Sequence, residues 1–497
     1  MPTPTIATTG GSLTGRNGGD VRSYLGIPYA ASCAGERRWR APGDAPAWTG
    51  TREAVAFGPD PIQPQSPDPH RRSPGISEDC LTVNVWTPAA SAAQPFPVMV
   101  WFEGGSFMTV SGASARIDGA ALARRGVIVV TVNYRVNIFG FLAHPLLTAE
   151  SEHGTSSNYG LMDQIAALRW VRANIAAFGG DAKRVTVFGV SAGSASISLL
   201  LTSPLAVGLF DQAILHSPGA FRPLCSLADA EAAGSVVDGP LSAMSAEKLM
   251  QYIPRIVPKV RGLTTPRILR PIHDGYVLPR QEAEAYDDGA FMHVPLMVGS
   301  TANEGGWAVG DLPITTVAEY RTYMQQNFGA ATDEALGLYP VAHDGEVKGR
   351  LAEVFGDTQF TYGARSVAQA SSRYQPKTFR YLFRQGTAAH ADDTPYVFGN
   401  LGDGATADDR HVSELQMTAW TRFAATGDPN GDGVPRWPRY DAGTDAYLEI
   451  GARPQLQDHW RSEHLDFIDR YLRSKMPSAK FFRSRSVPWP EMTPEFP

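Results

Sequence analysis

Two stretches of the chain, Val98-Met-Val-Trp-Phe and Val127-Ile-Val-Val-Thr-Val, are apolar at nearly every position. Uninterrupted runs of that length suit strands buried on both faces of a parallel sheet. Val185 to Phe188, Ala213-Ile-Leu, Val294-Pro-Leu-Met-Val and Phe379-Arg-Tyr-Leu-Phe repeat the signal further along. Between them the period changes. From Tyr159 to Phe178 the apolar residues Leu161, Ile165, Leu168, Val171, Ile175 and Phe178 recur at steps of three and four. That spacing builds one stripe of a helix, and Gly179-Gly180 marks its end. Strands alternating with helices predict an α/β fold with a large central, mostly parallel sheet and crossover helices on both faces.

The flanking regions differ. Residues 1–95 are rich in Gly, Pro and turn signals, with short strand-like pieces at Val21–Tyr29 and Leu81–Trp86, and predict an N-terminal antiparallel hairpin region. Asp60 to His70 carries four prolines and reads as an irregular loop. Residues 228–290 and 311–375 are more polar and mostly helical in pattern. They read as helical insertions near the carboxyl edge of the sheet, where open α/β sheets bind ligands. The tail from Pro477, with Lys480-Phe-Phe-Arg-Ser-Arg, reads as a docked C-terminus.

Composition narrows the class. A 43% apolar, 19% charged chain of 497 residues can bury a large core. A net charge of −6 gives no reason to expect nucleic acid or an anionic membrane as partner. No run of eighteen apolar residues predicts a membrane-spanning helix. Met1 to Gly10 lacks a basic and an apolar region, so no signal peptide is read there. Three cysteines, Cys33, Cys80 and Cys225, do not make a disulfide framework, and no N-x-S/T acceptor occurs. A reducing cytoplasm is the expected compartment.

The chemistry centres on Gly189-Val190-Ser191-Ala192-Gly193, which follows a predicted strand and opens a run that reads as a helix. Strand, G-x-S-x-G, helix is the context of a nucleophile elbow, in which a sharp turn pushes the serine Oγ out at the strand end. A serine hydroxyl needs a base to take its proton and an acid to orient that base, here in the chain order serine, acid, histidine. Glu304 lies in a glycine-flanked loop six residues past a predicted strand, and His390 lies in a small-residue loop after the strand Phe379–Phe383. His144, His216 and His273 also lie near strand ends and read as structural histidines. Backbone donors for a developing oxyanion come from Ala192 and from the glycine-rich loop after Phe102. No Cys/His cluster has metal-ligand spacing, and no cofactor is expected.

These residues resemble the type B carboxylesterases, which include bacterial para-nitrobenzyl esterases and cholinesterases. The likeness covers almost the whole chain. It rests on Leu25-Gly-Ile-Pro-Tyr-Ala, Ser77-Glu-Asp-Cys-Leu, Asn158-Tyr-Gly-Leu-Met-Asp-Gln, the serine elbow, Asn303-Glu-Gly, His390 before Pro395-Tyr-Val-Phe-Gly, and Gly427-Asp-Pro-Asn before Trp437-Pro. The resemblance implies one α/β-hydrolase domain over residues 1–497. It implies Ser191 as nucleophile, Glu304 as acid and His390 as base. Gly105, Ser106 and Ala192 become oxyanion donors. Gly104, Phe107, Ser217, Phe221 and Arg222 become substrate-binding residues, with Ser217 matching a serine often found beside the triad. It also implies a small-molecule ester substrate and a monomer or weak homodimer.

Departures from the family pattern sharpen the expectation. Glu103-Gly104-Gly105-Ser106 stands where the family carries His or Tyr and three glycines. A carboxylate facing an oxyanion is unfavourable, so Glu103 is expected to turn back into its loop. Val190 replaces a glutamate on which the cholinesterase cation site leans, which argues against choline esters. The usual partner of Cys80 is absent near Pro61, leaving Cys80 a free buried thiol unless Cys33 pairs with it. Arg222 puts a cation where apolar residues are common; it either grips a carboxylate on the acyl group or turns outward to solvent or a surface aspartate. With Phe355-Gly-Asp-Thr-Gln-Phe and Pro271-Ile-His-Asp-Gly-Tyr-Val-Leu, it resembles the fumonisin esterases, a branch that releases tricarballylic acid. A broad-specificity carboxylesterase, an amidase or carbamate hydrolase with the same triad, and a non-catalytic interaction protein are the alternatives.

Overall fold

The computed structural model describes residues 5–64, 69–90, 92–258, 260 and 262–476; the Lys480–Arg485 stretch lies outside them. Eleven strands form the main sheet: β1 (Arg16–Asn17), β2 (Val21–Pro28), β3 (Thr82–Pro88), β4 (Phe96–Phe102), β5 (Ile128–Val132), β6 (Gly180–Val190), β7 (Gln212–His216), β8 (Leu296–Thr301), β9 (Thr378–Phe383), β10 (Tyr447–Ile450) and β11 (Gln455–Gln457). Their order is β11-β10-β9-β8-β7-β6-β4-β5-β3-β2-β1. From β10 across to β5 every pairing is parallel, while β1, β2, β3 and β11 pair antiparallel at the two edges.

Alternate residues of each central strand enter opposite layers, which explains the continuous apolar runs. Val98, Val100 and Phe102 pack with Leu161, Ile165, Leu168 and Val171 of the helix Tyr159–Asn174. Met99 and Trp101 pack on the other side with Val412, Leu415, Trp420 and Phe423 of the helix Ala407–Thr426. This is the α/β architecture expected from the alternation, and it has the form of the α/β-hydrolase fold that the resemblance implies.

The register aligns the carboxyl ends of five strands. Phe102 pairs with Gly189, Val190 with His216, His216 with Gly299, and Thr301 with Phe383. Loops leaving β4, β6, β7, β8 and β9 therefore emerge side by side on one edge.

Several elements depart from the pattern reading. The helix from Tyr159 ends at Asn174, and Ile175–Phe178 tightens into a 3₁₀ turn before Gly179 takes φ 88°. The strand expected from Val294 begins at Leu296, because Pro295 has no N–H to donate. Residues 228–290 hold short helices at Leu227–Gly234, Ala246–Met250, Ile253–Ile256 and Glu282–Asp287. Between the last two, the described residues form no helix, and Pro258, Pro266, Pro271 and Pro279 account for that. Residues 311–375 are mainly helical, but one five-residue turn, Asp357–Thr361, is a π-helix between the helices Val347–Gly356 and Tyr362–Ser372.

Candidate active site

Ser191 directly follows β6 and caps the start of the helix Ala192–Leu201. Its φ of 56° and ψ of −117° are strained for a residue with a Cβ, and such strain persists only where the surroundings enforce it. They do. Its N–H donates to His216 O on β7 at 2.9 Å. Gly193 lies so close to β4 that an added Cβ would sit 1.9 Å from Phe102 O. The elbow glycine is thus a packing requirement.

Glu304 follows β8 and is 3% exposed. Its Oε1 accepts from the Thr301 N–H at 2.7 Å and from Ser217 Oγ at 2.5 Å. Its Oε2 lies 2.5 Å from His390 Nδ1. An ionised carboxylate only accepts, so Nδ1 carries the proton and Nε2 is left as the acceptor. That Nε2 is buried and has no hydrogen-bond partner among the described residues. The loops bearing the pair meet where Asn303 N–H donates to Ala388 O at 3.0 Å. Phe360 and Trp307 pack on the imidazole, with ring centroids 4.0 and 5.5 Å away.

The loop after β4 turns through positive φ at Gly105 (117°), Ser106 (59°) and Phe107 (60°). The backbone N–H groups of Gly105, Ser106 and Ala192 donate to no other described residue, which leaves three donors available to an incoming oxygen. Glu103 turns back as expected. Its Oε2 accepts from Trp101 Nε1 at 2.8 Å and its Oε1 from the Gly104 N–H at 3.1 Å. Gly104 itself packs on the elbow; a Cβ there would approach Val190 O to 2.8 Å and Ser191 Cβ to 3.0 Å.

The cleft beside Ser191 is lined by Ser106, Phe107, Arg222, Arg267, Arg270, Trp307, Gln359 and Phe360. Arg222 faces this cleft. Its Nη1 and an Arg267 Nη2 both donate to the single Oε1 of Gln359, and Arg222 Nη2 donates to Leu263 O at 3.1 Å. No carboxylate pairs with Arg222 among the described residues, and burial draws its ionisation down to about 10, still far above neutral pH. Arg270 lies over the Phe107 ring at 5.5 Å.

Two substrate-binding expectations change. Ser217 is fully buried against Glu304 and does not line the cleft. Phe221 is also fully buried, packed on Tyr286 at 5.0 Å, because its backbone N–H is drawn inward to Glu282 Oε2 at 2.6 Å. Arg267, Arg270, Trp307, Gln359 and Phe360 were not singled out from the sequence. The Gln359-Phe360 pair does fall inside a quoted motif, Phe355-Gly-Asp-Thr-Gln-Phe. Cys33, Cys80 and Cys225 are all unpaired and buried.

Ser191 at its strand-to-helix turn and the Glu304–His390 pair thus stand at the carboxyl edge of an α/β-hydrolase sheet. A model of the carboxylesterase family matches residues 2–468, and the chain belongs to that family. Among its relatives, a fumonisin B1 esterase of Sphingopyxis macrogoltabida is 42% identical over 454 residues, covering 87% of this chain and 84% of the relative. A para-nitrobenzyl esterase of Bacillus subtilis is 34% identical over 496 residues, covering 92% and 97%. A solved PNB esterase structure superposes with a TM-score of 0.83 at 32% identity, over 93% of this chain and 99% of that one. The chain is a carboxylic ester hydrolase. No helix among the described residues is long and apolar enough to cross a membrane.

Proposed function

We propose that the protein hydrolyses esters of a polycarboxylic acid through an acyl-enzyme on Ser191. His390 Nε2 takes the Ser191 proton as Oγ bonds to the ester carbonyl carbon, and Glu304 stabilises the imidazolium. The carbonyl oxygen gains charge facing the N–H groups of Gly105, Ser106 and Ala192. Collapse breaks the bond to the alkoxy oxygen, which leaves with the proton from His390. Water then adds to the acyl carbon and gives its proton to His390; the bond from that carbon to Ser191 Oγ breaks, Oγ takes the proton back from His390, and the acid leaves. The observation that carries the mechanism is the 2.5 Å Glu304–His390 contact with a buried, unpartnered Nε2 on the other side of the ring.

The substrate class follows from the cleft wall. Three guanidinium groups beside a nucleophile, with Arg222 unpaired by any described carboxylate, favour an acyl group bearing free carboxylates. One relative is named a fumonisin B1 esterase, and the resemblance to that branch implies an acyl portion of the tricarballylate type. A cytoplasmic setting fits three unpaired thiols.

The test is twofold. A fluorophosphonate probe should label Ser191 in folded protein and fail on Ser191→Ala. A panel of esters with a common alcohol, differing only in acyl charge, should rank di- and tricarboxylate monoesters above neutral ones in kcat/KM. Equal rates across the panel would leave the mechanism standing and remove the anionic-acyl reading.

A further inference from the structure

A second histidine–carboxylate pair joins the end of β7 to the segment that follows His390. His216, the last residue of β7, is fully buried. Its Nδ1 lies 2.9 Å from Asp393 Oδ2, and its Nε2 accepts from Trp420 Nε1 at 3.0 Å. An indole N–H only donates. Nε2 is therefore the acceptor, Nδ1 holds the single ring proton, and His216 is neutral. The charge of the pair sits on Asp393. Burial works against that charge, and hydrogen bonds from His216 Nδ1 and Tyr381 Oη support it.

The pair bridges two parts of the candidate machinery. The His216 carbonyl accepts the Ser191 N–H at 2.9 Å, so β7 holds the elbow. Asp393 lies three residues past His390, and its carbonyl accepts from Val397 N–H at 3.1 Å at the start of the helix Thr394–Phe398. Its Oδ2 also accepts from Tyr381 Oη on β9 at 3.1 Å, while Oδ1 is buried without a partner. An ionised carboxylate with a free oxygen in that position acts on its surroundings through its field.

We propose that Asp393, locked by neutral His216 and Trp420, is a positioning residue that ties the nucleophile elbow to the His390 loop and stabilises the His390 imidazolium formed during turnover. The inference rests on the Ser191–Glu304–His390 reading. The groups facing His390 are Glu304, in direct contact, the charge of Asp393, three residues further along the chain, and the uncharged rings of Trp307 and Phe360. The neighbouring Asp392 is occupied by the Thr387 hydroxyl and the Ala389 N–H at 2.8 Å. Those facing Asp393 are His216, Tyr381 and His390.

The experiment measures pH–rate profiles for a soluble ester on the full-length protein. Asp393→Asn keeps the shape and the His216 contact while removing the charge. The imidazolium loses support, so the acid limb of kcat/KM moves to lower pH by roughly half to one unit and plateau kcat falls about tenfold. Tyr381→Phe removes a donor from the carboxylate, strengthening its field, so the limb moves the other way. His216→Gln can donate to Asp393 and accept from Trp420, and should return a profile close to the unmodified one. A structural role alone would lower kcat in both variants without moving either limb in opposite senses, and that result overturns the proposal. Should Asp393→Asn not fold, the Tyr381→Phe shift decides by itself. His390→Ala separates the two readings: if it retains activity the triad reading fails, whereas an inactive His390→Ala with unmoved limbs in the other variants sinks only this inference.

Discussion

Changing Gln359 to Glu tests the acyl pocket without altering its volume. The Gln359 Oε1 accepts from Arg222 and Arg267 at once, a neutral oxygen holding two like charges together. A carboxylate in its place pairs with both and cancels the field that an anionic acyl group meets. A carboxylate roughly 6 Å from that group costs about 3 kcal/mol at an effective dielectric of 20, which suits a half-buried cleft. Screening by salt trims that figure, so the expected loss in kcat/KM for a polycarboxylate ester is about 100-fold. A neutral ester with the same alcohol should change by no more than about twofold, because Ser191, Glu304 and His390 are untouched. Thermal stability should hold or rise, since the new side chain gains charge-assisted bonds. The assay is steady-state hydrolysis of the ester pair at two salt concentrations, alongside thermal melting. An equal fold loss on both esters refutes the reasoning, because it means that the substitution disturbs the base through Phe360 and leaves the anion site unaffected.

Other consequences concern the scaffold. Gly193→Ala forces a Cβ to within 1.9 Å of Phe102 O, so it should lose 1 to about 3 kcal/mol or more of stability together with activity; a soluble variant with unchanged melting and rate would contradict the close approach. Burial pushes Glu282 from 4.5 up to about 7, opposed by the Ser198 and Phe221 hydrogen bonds. A carboxyl raised in this way costs nothing while protonated in both folded and unfolded chains, and the penalty grows as pH rises from 4.5 through about 7, reaching roughly 3 kcal/mol. Glu282→Gln should therefore gain melting temperature relative to the unmodified protein as pH rises across that window, and a difference independent of pH would count against it. Ellman titration should find Cys33, Cys80 and Cys225 slow to react in the native state and three thiols per chain after denaturation; fewer than three would reveal a disulfide.

The catalytic candidates were legible because each is a local event at a strand end. A strand followed by G-x-S-x-G, a glycine-flanked glutamate after β8 and a small-residue histidine loop after β9 can each be read within a dozen residues. The parallel register then sets them side by side without further instruction. The cleft wall obeys no such rule. Arg222, Arg267 and Gln359 come from three segments, two irregular and one π-helical, and meet only through tertiary packing. The His216–Asp393 pair was hidden for a related reason. An aspartate three residues past a loop histidine reads as solvated until β7 and the helix Ala407–Thr426 close over it.

The π-helical turn joins these two halves of the protein. A π turn inserts an extra residue into a helix, and such turns recur at functional sites. Here the turn presents Gln359 to the arginines and the next residue, Phe360, to the His390 ring. Its first residue, Asp357, is clamped by Arg461 Nε at 2.6 Å and Tyr339 Oη at 2.8 Å, so the turn is held from outside the cleft. The sheet edge supports the general chemistry of ester cleavage. The turn supplies one short backbone segment that touches both the candidate acyl site and the base. Substitutions at Gln359 should therefore change substrate preference, whereas those at Phe360, like those on the sheet edge, should change turnover for every ester alike.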